Sequence, residues 1–198
     1  MFLLTRPSDV TIHRFLASQR QLHVSYPGIG SSRNAPPPGY VVDHNRVRLG
    51  EGSDTFDRAS AALRGWRMFQ LGWVELFHGT APIEIGTDVA VLVRVFGVWS
   101  LNACRIVYVM DEPEPVRRFG FAYGTLPDHA ERGEERFSIE WHRADDSVWY
   151  DLLAFSRPRH LLSRAGYPFT RRLQKRFARD SLAAMKRAVG PNSGAQPP

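Results

Sequence analysis

From Trp73 to Phe155 hydrophobicity repeats every second residue, and from Pro168 to Val189 it repeats every three or four. The first period belongs to strands and the second to a helix, and neither pattern fits the other geometry. Candidate strands are 73–78, 88–96, 98–110, 116–124, 135–143 and 147–155, with the third read as two strands or one bent strand. Val89, Val91, Val93 and Val95 share one face of their strand, as do Phe137, Ile139 and Trp141 of theirs. An apolar face opposite a mixed one marks an antiparallel sheet covered on one side. In the last segment Phe169, Leu173, Phe177, Leu182, Met185 and Val189 form a stripe opposite Arg171, Arg172, Lys175 and Arg179. A helix of about 22 residues is roughly 33 Å long. The stripe must be buried, and the apolar face of the sheet is the partner long enough to take it. The predicted fold is α+β, a curved antiparallel β-sheet wrapped around a long C-terminal helix.

The first part of the chain supplies smaller pieces. Residues 8–20 have helical spacing, "YPGIGSSRNAPPPGY" (Tyr26–Tyr40) reads as a loop, and "YVVDHNRVRLG" reads as a short strand or hairpin. Residues 54–71 form a second expected helix, capped by Ser53 or Asp54, striped by Phe56, Ala59, Leu63 and Trp66, and ended by Gly72. With 198 residues, one domain over 1–190 and a disordered tail over 191–198 are expected.

Several function classes are weakened by composition. No run of about 18 apolar residues occurs, so no membrane span is expected, and "MFLLTRPSDV" is too short in its apolar part for a signal peptide. Cys104 is the lone cysteine and reads as a buried thiol, in keeping with a cytoplasmic location. The net charge is +6, but the cations are 24 Arg against 2 Lys, mostly spread singly. "RRLQKRFAR" is the only dense run, and with the other arginines scattered nucleic acid is not the expected partner. "GIGSS" lacks both the dinucleotide fingerprint and the P-loop lysine, and no cofactor is implied.

Polar chemistry concentrates in "FGFAYGTLPDHAERGEERFSIEWH", where Asp128, His129, Glu131, Glu134 and Glu135 fall within eight positions. One histidine among loop carboxylates is a poor zinc set, so no metal is expected. The plain reading is a solvated hairpin loop. Glu134 and Glu135 are adjacent and, if extended, point to opposite faces, so one can turn inward and pair with an arginine such as Arg105. Arg94, Arg105 and Arg118 interrupt apolar strands and read as outward-facing, with Arg105 the candidate for gripping a ligand carboxylate or phosphate. In "AFSRP", Arg157 is either an anion contact or a turn residue. Ser156 lacks the surroundings of a nucleophile. Gln174 sits at the edge of the terminal stripe.

The blocks "GYVVDHNRVRLGEGSDTFDRASAALRGW", "CRIVYV", "FGFAYGTLPDHAERGEERFSIEW", "AFSRP" and "GYPFTRRLQKRFARDSLAAM" resemble the uncharacterised DUF1990 (UPF0548) proteins of bacteria and plants. The likeness runs from about Arg6 to Met185, and "GSSRNAPPPGY" departs from the pattern. It implies a helix-grip architecture similar to START and Bet v 1 proteins, which often enclose an apolar cavity. The expectation that follows is non-catalytic binding of a small apolar or amphipathic molecule between sheet and helix, with Arg105, Tyr123, His129, Glu134, Glu135, Arg157 and Gln174 as candidate contacts. The alternative is an enzyme using His129 with Glu134 or Glu135 at the cavity mouth. Ligand identity and oligomeric state are left open.

Overall fold

In a computed structural model, which describes residues 1–77, 79–158 and 167–190, eight strands and three α-helices follow one another along the chain. Strands β1 (Phe2–Leu3), β2 (Val41–Glu51), β3 (Val74–Phe77), β4 (Asp88–Val95), β5 (Val98–Glu112), β6 (Arg117–Thr125), β7 (Glu131–His142) and β8 (Ser147–Pro158) form one sheet. Its order is β2-β8-β7-β6-β5-β4-β3, with β1 on β5, and every pairing is antiparallel. The expected third strand is one strand with a register shift between Ile106 and Tyr108. Such a bulge bends the strand and turns the side chains beyond it. Ile106 faces the main core while Tyr108 and Met110 join a separate cluster.

Helices α1 (Asp9–Gln19), α2 (Gly52–Arg64) and α3 (Tyr167–Val189) divide between the two faces of the sheet. α1 begins where the Ser8 hydroxyl accepts the Thr11 N–H. Its Ile12, Phe15 and Leu16 pack on Ala90, Leu92 and Leu101, on the convex face of β4 and β5. The other two helices lie in the concavity. Phe56, Ala59 and Leu63 of α2 and Met185 and Val189 of α3 share the core with Phe119, Phe121, Phe137, Ile139 and Tyr150. The buried Tyr150 hydroxyl meets Ser181 of α3 at 2.9 Å. The terminal helix therefore lies along the concave sheet.

Two local expectations are corrected. α2 has no side-chain cap, and it stops at Arg64 rather than near Gly72. Trp66 takes a left-handed conformation, φ 53°, which breaks the helix and tucks its ring into the core, where Nε1 donates to the Ala81 carbonyl at 2.9 Å. The second correction concerns the polar loop. Glu131, Glu134 and Glu135 all belong to β7, so the β6–β7 connection is only residues 126–130. Glu131 and Glu134 are buried rather than solvated. The predicted tail over 191–198 lies outside the described residues.

Candidate functional site

The C-terminal half of α3 meshes with α2 and the sheet, and the N-terminal half does not. Between residues 169–178 of α3 and the concave strands lies a cavity of about 610 Å³. One side of its wall is apolar, built from Val91, Val93 and Val95 of β4, Phe69 and Trp73, and Leu173 and Phe177 of α3. Phe69 anchors this part, with its ring 5.3 Å from Phe177 and 5.6 Å from Phe137. At the rim Phe96, at the tip of the β4–β5 hairpin, stacks on Phe169 of α3 at 5.8 Å, and both rings are exposed.

A polar end faces this apolar wall. Tyr123 of β6 and Glu135 of β7 are directly paired across the ladder, and the phenol donates to Oε2 at 2.6 Å. Burial pushes the Glu135 carboxyl up to about 7, against the pull of the Tyr123 hydrogen bond and with a further push from the Asp43 charge. Burial likewise drives the Tyr123 phenol well above its ordinary value. Glu131, two pleats away, is raised by burial, while Ser156 and Gln174 act in the opposite direction. Gln174 of α3 donates to Glu131 Oε2 at 2.8 Å and to Ser156 Oγ at 2.9 Å. Asp43 of β2 borders the same cavity and is gripped by both terminal nitrogens of Arg171, one at 2.6 Å.

Tyr123, His129, Glu135 and Gln174 thus line one cavity, together with Asp43 and Glu131. His129 Nδ1 accepts the Glu131 N–H at 3.0 Å, which leaves the ring's proton, when neutral, on Nε2. The remaining candidates go elsewhere. Arg105 lies on the convex face, bonded to Asp88 at 2.6 and 2.9 Å and to the Leu22 and Arg20 carbonyls at 2.8 Å, where it ends α1 and is not part of the cavity wall. Arg157 rests on the Tyr40 ring, 4.6 Å from its centroid.

Glu134 borders the cavity, but its carboxylate is committed to the Tyr26–Tyr40 loop. Oε2 accepts from Tyr26 Oη at 2.6 Å and from the Gly30 N–H at 2.8 Å, and Oε1 accepts from the Ser32 N–H at 2.9 Å and from the Ser32 hydroxyl. Neither glutamate pairs with Arg105, because Arg105 is committed to Asp88 and the end of α1, while Glu134 is held by these donors and Glu135 turns to Tyr123. Glu134 therefore does not join His129 and Glu135 in one constellation. The glycines make this docking feasible: a Cβ on Gly124 would stand 2.4 Å from Tyr26 Oη. Asp43 escaped sequence reasoning, and Glu131 was named in the polar run but not among the candidate contacts, although strict alternation along β2 and β7 places them on the same faces as Val47 and Glu135. The basic run is also largely engaged within the chain. Arg171 holds Asp43, and Arg176 lies over the Trp73 ring at 4.3 Å with Asp180 at 3.4 Å.

A model for a domain of unknown function, DUF1990, matches residues 25–184. The chain belongs to the DUF1990 family. Curated relatives agree over nearly its whole length. A UPF0548 protein of Dictyostelium discoideum is 38% identical, with 97% of each chain covered, and one of Deinococcus radiodurans is 41% identical, covering 96% of this chain and 100% of the relative. Solved structures match this DUF1990 chain in fold alone. A hypothetical protein from Helicobacter pylori aligns with a TM-score of 0.51 at 10% identity over 85% of this chain and 96% of the other. An aromatase/cyclase from Streptomyces aligns with a TM-score of 0.50 at 14% identity over 76% and 93%. The architecture is the helix-grip fold of Bet v 1-like and START-like proteins. Among the described residues no helix is long and apolar enough to cross a membrane, and no cluster of three or more metal-ligating side chains occurs.

Proposed function

We propose that this DUF1990 domain binds a small, largely apolar molecule between the concave sheet and the N-terminal half of α3. The observation that carries the reading is the cavity of about 610 Å³, walled by valines and aromatic rings and ending in a few convergent polar groups. Specific small-molecule sites have this composition and a volume of roughly 300–1,000 Å³. Supporting it, the core elsewhere is closely filled by Trp66, Phe121, Phe137 and Tyr150, so the void is local to one half of the helix. The cytoplasm is the proposed location, in keeping with the buried free thiol of Cys104.

The test uses the full chain and a neutral fluorescent probe, Nile red. Its emission should rise on binding, and Val93→Trp, which fills the cavity from β4, should abolish the rise while the protein stays folded. Native mass spectrometry of gently purified protein should show a retained molecule in the parent and none in the variant. If the parent holds no molecule and takes up no probe, the binding reading is lost.

A further inference from the structure

We infer that the cavity selects a ligand whose apolar body carries a positively charged or donor-rich head, a protonated amine foremost, and rejects the same body carrying a carboxylate. This rests on the binding reading above and adds the chemistry of the head group.

The first observation is an imbalance of charge. The chain carries 26 Lys and Arg against 20 Asp and Glu, yet no lysine or arginine is among the described lining residues, whereas Asp43, Glu131 and Glu135 are. Arg171 neutralises Asp43 and donates to the Gln174 amide oxygen, so that guanidinium is already spent.

The second observation is an unfilled acceptor. Glu131 keeps only 8% of its surface accessible. Its Oε2 is held by Gln174, and its buried Oε1 has no hydrogen-bond partner among the described residues. A buried acceptor without a donor costs free energy, more so when charged, and a ligand head that draws the Glu131 side chain round to meet it recovers that cost on binding.

The third observation is that three donor side chains at this end, Tyr123, Asn102 and Gln174, are already committed to protein. The Tyr123 hydroxyl proton goes to Glu135. The Asn102 amide donates to the Val91 carbonyl at 3.3 Å and to Ser100 Oγ at 2.8 Å, while its oxygen accepts the Ala130 N–H at 3.3 Å. Both hydrogens of the Gln174 amide go to Glu131 and Ser156. These three side chains therefore have only acceptor capacity left for an incoming ligand. A carboxylate head would meet two buried carboxyls and no lysine or arginine among the described lining residues. An ammonium head would form charge-assisted hydrogen bonds there.

The test titrates the full chain near neutral pH with naphthylethylamine, naphthylethanol and naphthylacetate, three heads on one aromatic body, by calorimetry. The amine should bind about tenfold or more tightly than the acetate, the scale of one charge-assisted hydrogen bond. Glu131→Gln, and Glu135→Gln as a second variant, should each shrink that ratio severalfold, with retained alcohol binding showing that the variants fold. Equal or tighter binding of the acetate overturns the selection, as does a ratio that survives both substitutions combined. If none of the three binds, the cavity reading itself fails and the selection falls with it.

Discussion

Glu134 and Glu135, neighbours in β7, send their carboxylates to opposite sides of the sheet. Glu134 accepts four hydrogen bonds from Tyr26, Gly30 and Ser32 on the convex side. Glu135 accepts one from Tyr123 in the cavity. Strand geometry separates them, and their surroundings then give them different work. One carboxylate is saturated by donors and pins a long loop to the sheet. The other is left with a raised proton affinity beside an open volume.

Pinning by Glu134 predicts a large mutational cost. Glu134→Ala leaves the Tyr26 hydroxyl, the Gly30 and Ser32 N–H groups and the Ser32 hydroxyl without their acceptor. Removing one side of a buried charged network costs about 3–5 kcal/mol. Urea unfolding should show a loss of that order. Hydrogen exchange should rise at Gly30 and Ser32 before it rises in β6, because the loop is released first.

Glu135 predicts a pH dependence of stability with a definite sign. Its carboxyl moves from the usual 4.5 to about 7 on folding, so between those values the folded state binds more protons than the unfolded one. Stability from this group is present at low pH and lost as pH rises through about 7. Tyr123 of β6, Asp43 of β2, Cys104 of β5 and Tyr150 of β8 are the titratable groups that interact with it. At about 1.4 kcal/mol per pKa unit the loss is at most about 3.5 kcal/mol. Unfolding free energies at about pH 5 and pH 8 should therefore fall more steeply for the parent than for Glu135→Gln. Parallel changes in the two proteins would remove Glu135 as the source.

The difference between these two glutamates shows how far the sequence could be read. Alternation requires them to face apart once the segment is a strand, and the same logic yields the valine face of β4 and the stripe of α3. What alternation did not reveal was where β7 begins. The cluster from Asp128 to Glu135 looked like a wet loop because its polarity is high. Its burial is set by partners such as Tyr26 and Ser32, about a hundred positions earlier, and by Asp128 meeting Gln19 of α1 at 2.6 Å. Arg105 failed for a related reason. Its outward direction was legible, but its partners, Asp88 and the end of α1, are fixed by how α1 docks. The end of α2 was misplaced because a left-handed tryptophan leaves no local signal, and the depth of the core pocket that receives Trp66 decides it.

Arg105 therefore yields a prediction opposite to the one its residue type invites. Arg105→Leu removes bonds to Asp88 and to the carbonyls at the end of α1 on the convex face. It should lower stability by about 1.5–3 kcal/mol, the range for bonds to a charged group. It should leave Nile red binding within about twofold of the parent, because the side chain does not touch the cavity. A loss of probe affinity without a loss of stability would place Arg105 in the site after all.

At the cavity rim, Phe96 occupies a backbone position that suits it poorly. Val95 pairs with Val98, so Phe96 and Gly97 alone make the β4–β5 turn, with φ of 50° and 81°. Two-residue turns with both central residues at positive φ favour Asn-Gly, because a large side chain there costs about 1 kcal/mol or more. Phe96 is also 90% exposed, so burial does not offset the strain. What it gains is the stack on Phe169 over the cavity edge. Phe96→Asn should relieve the turn and stabilise the protein by about 0.5–1 kcal/mol while opening the rim. Stopped-flow fluorescence with Nile red should then show both association and dissociation accelerated, with affinity changed less than either rate. A variant that is more stable yet unchanged in both rates would show that the aromatic pair lies beside the entrance without governing passage through it.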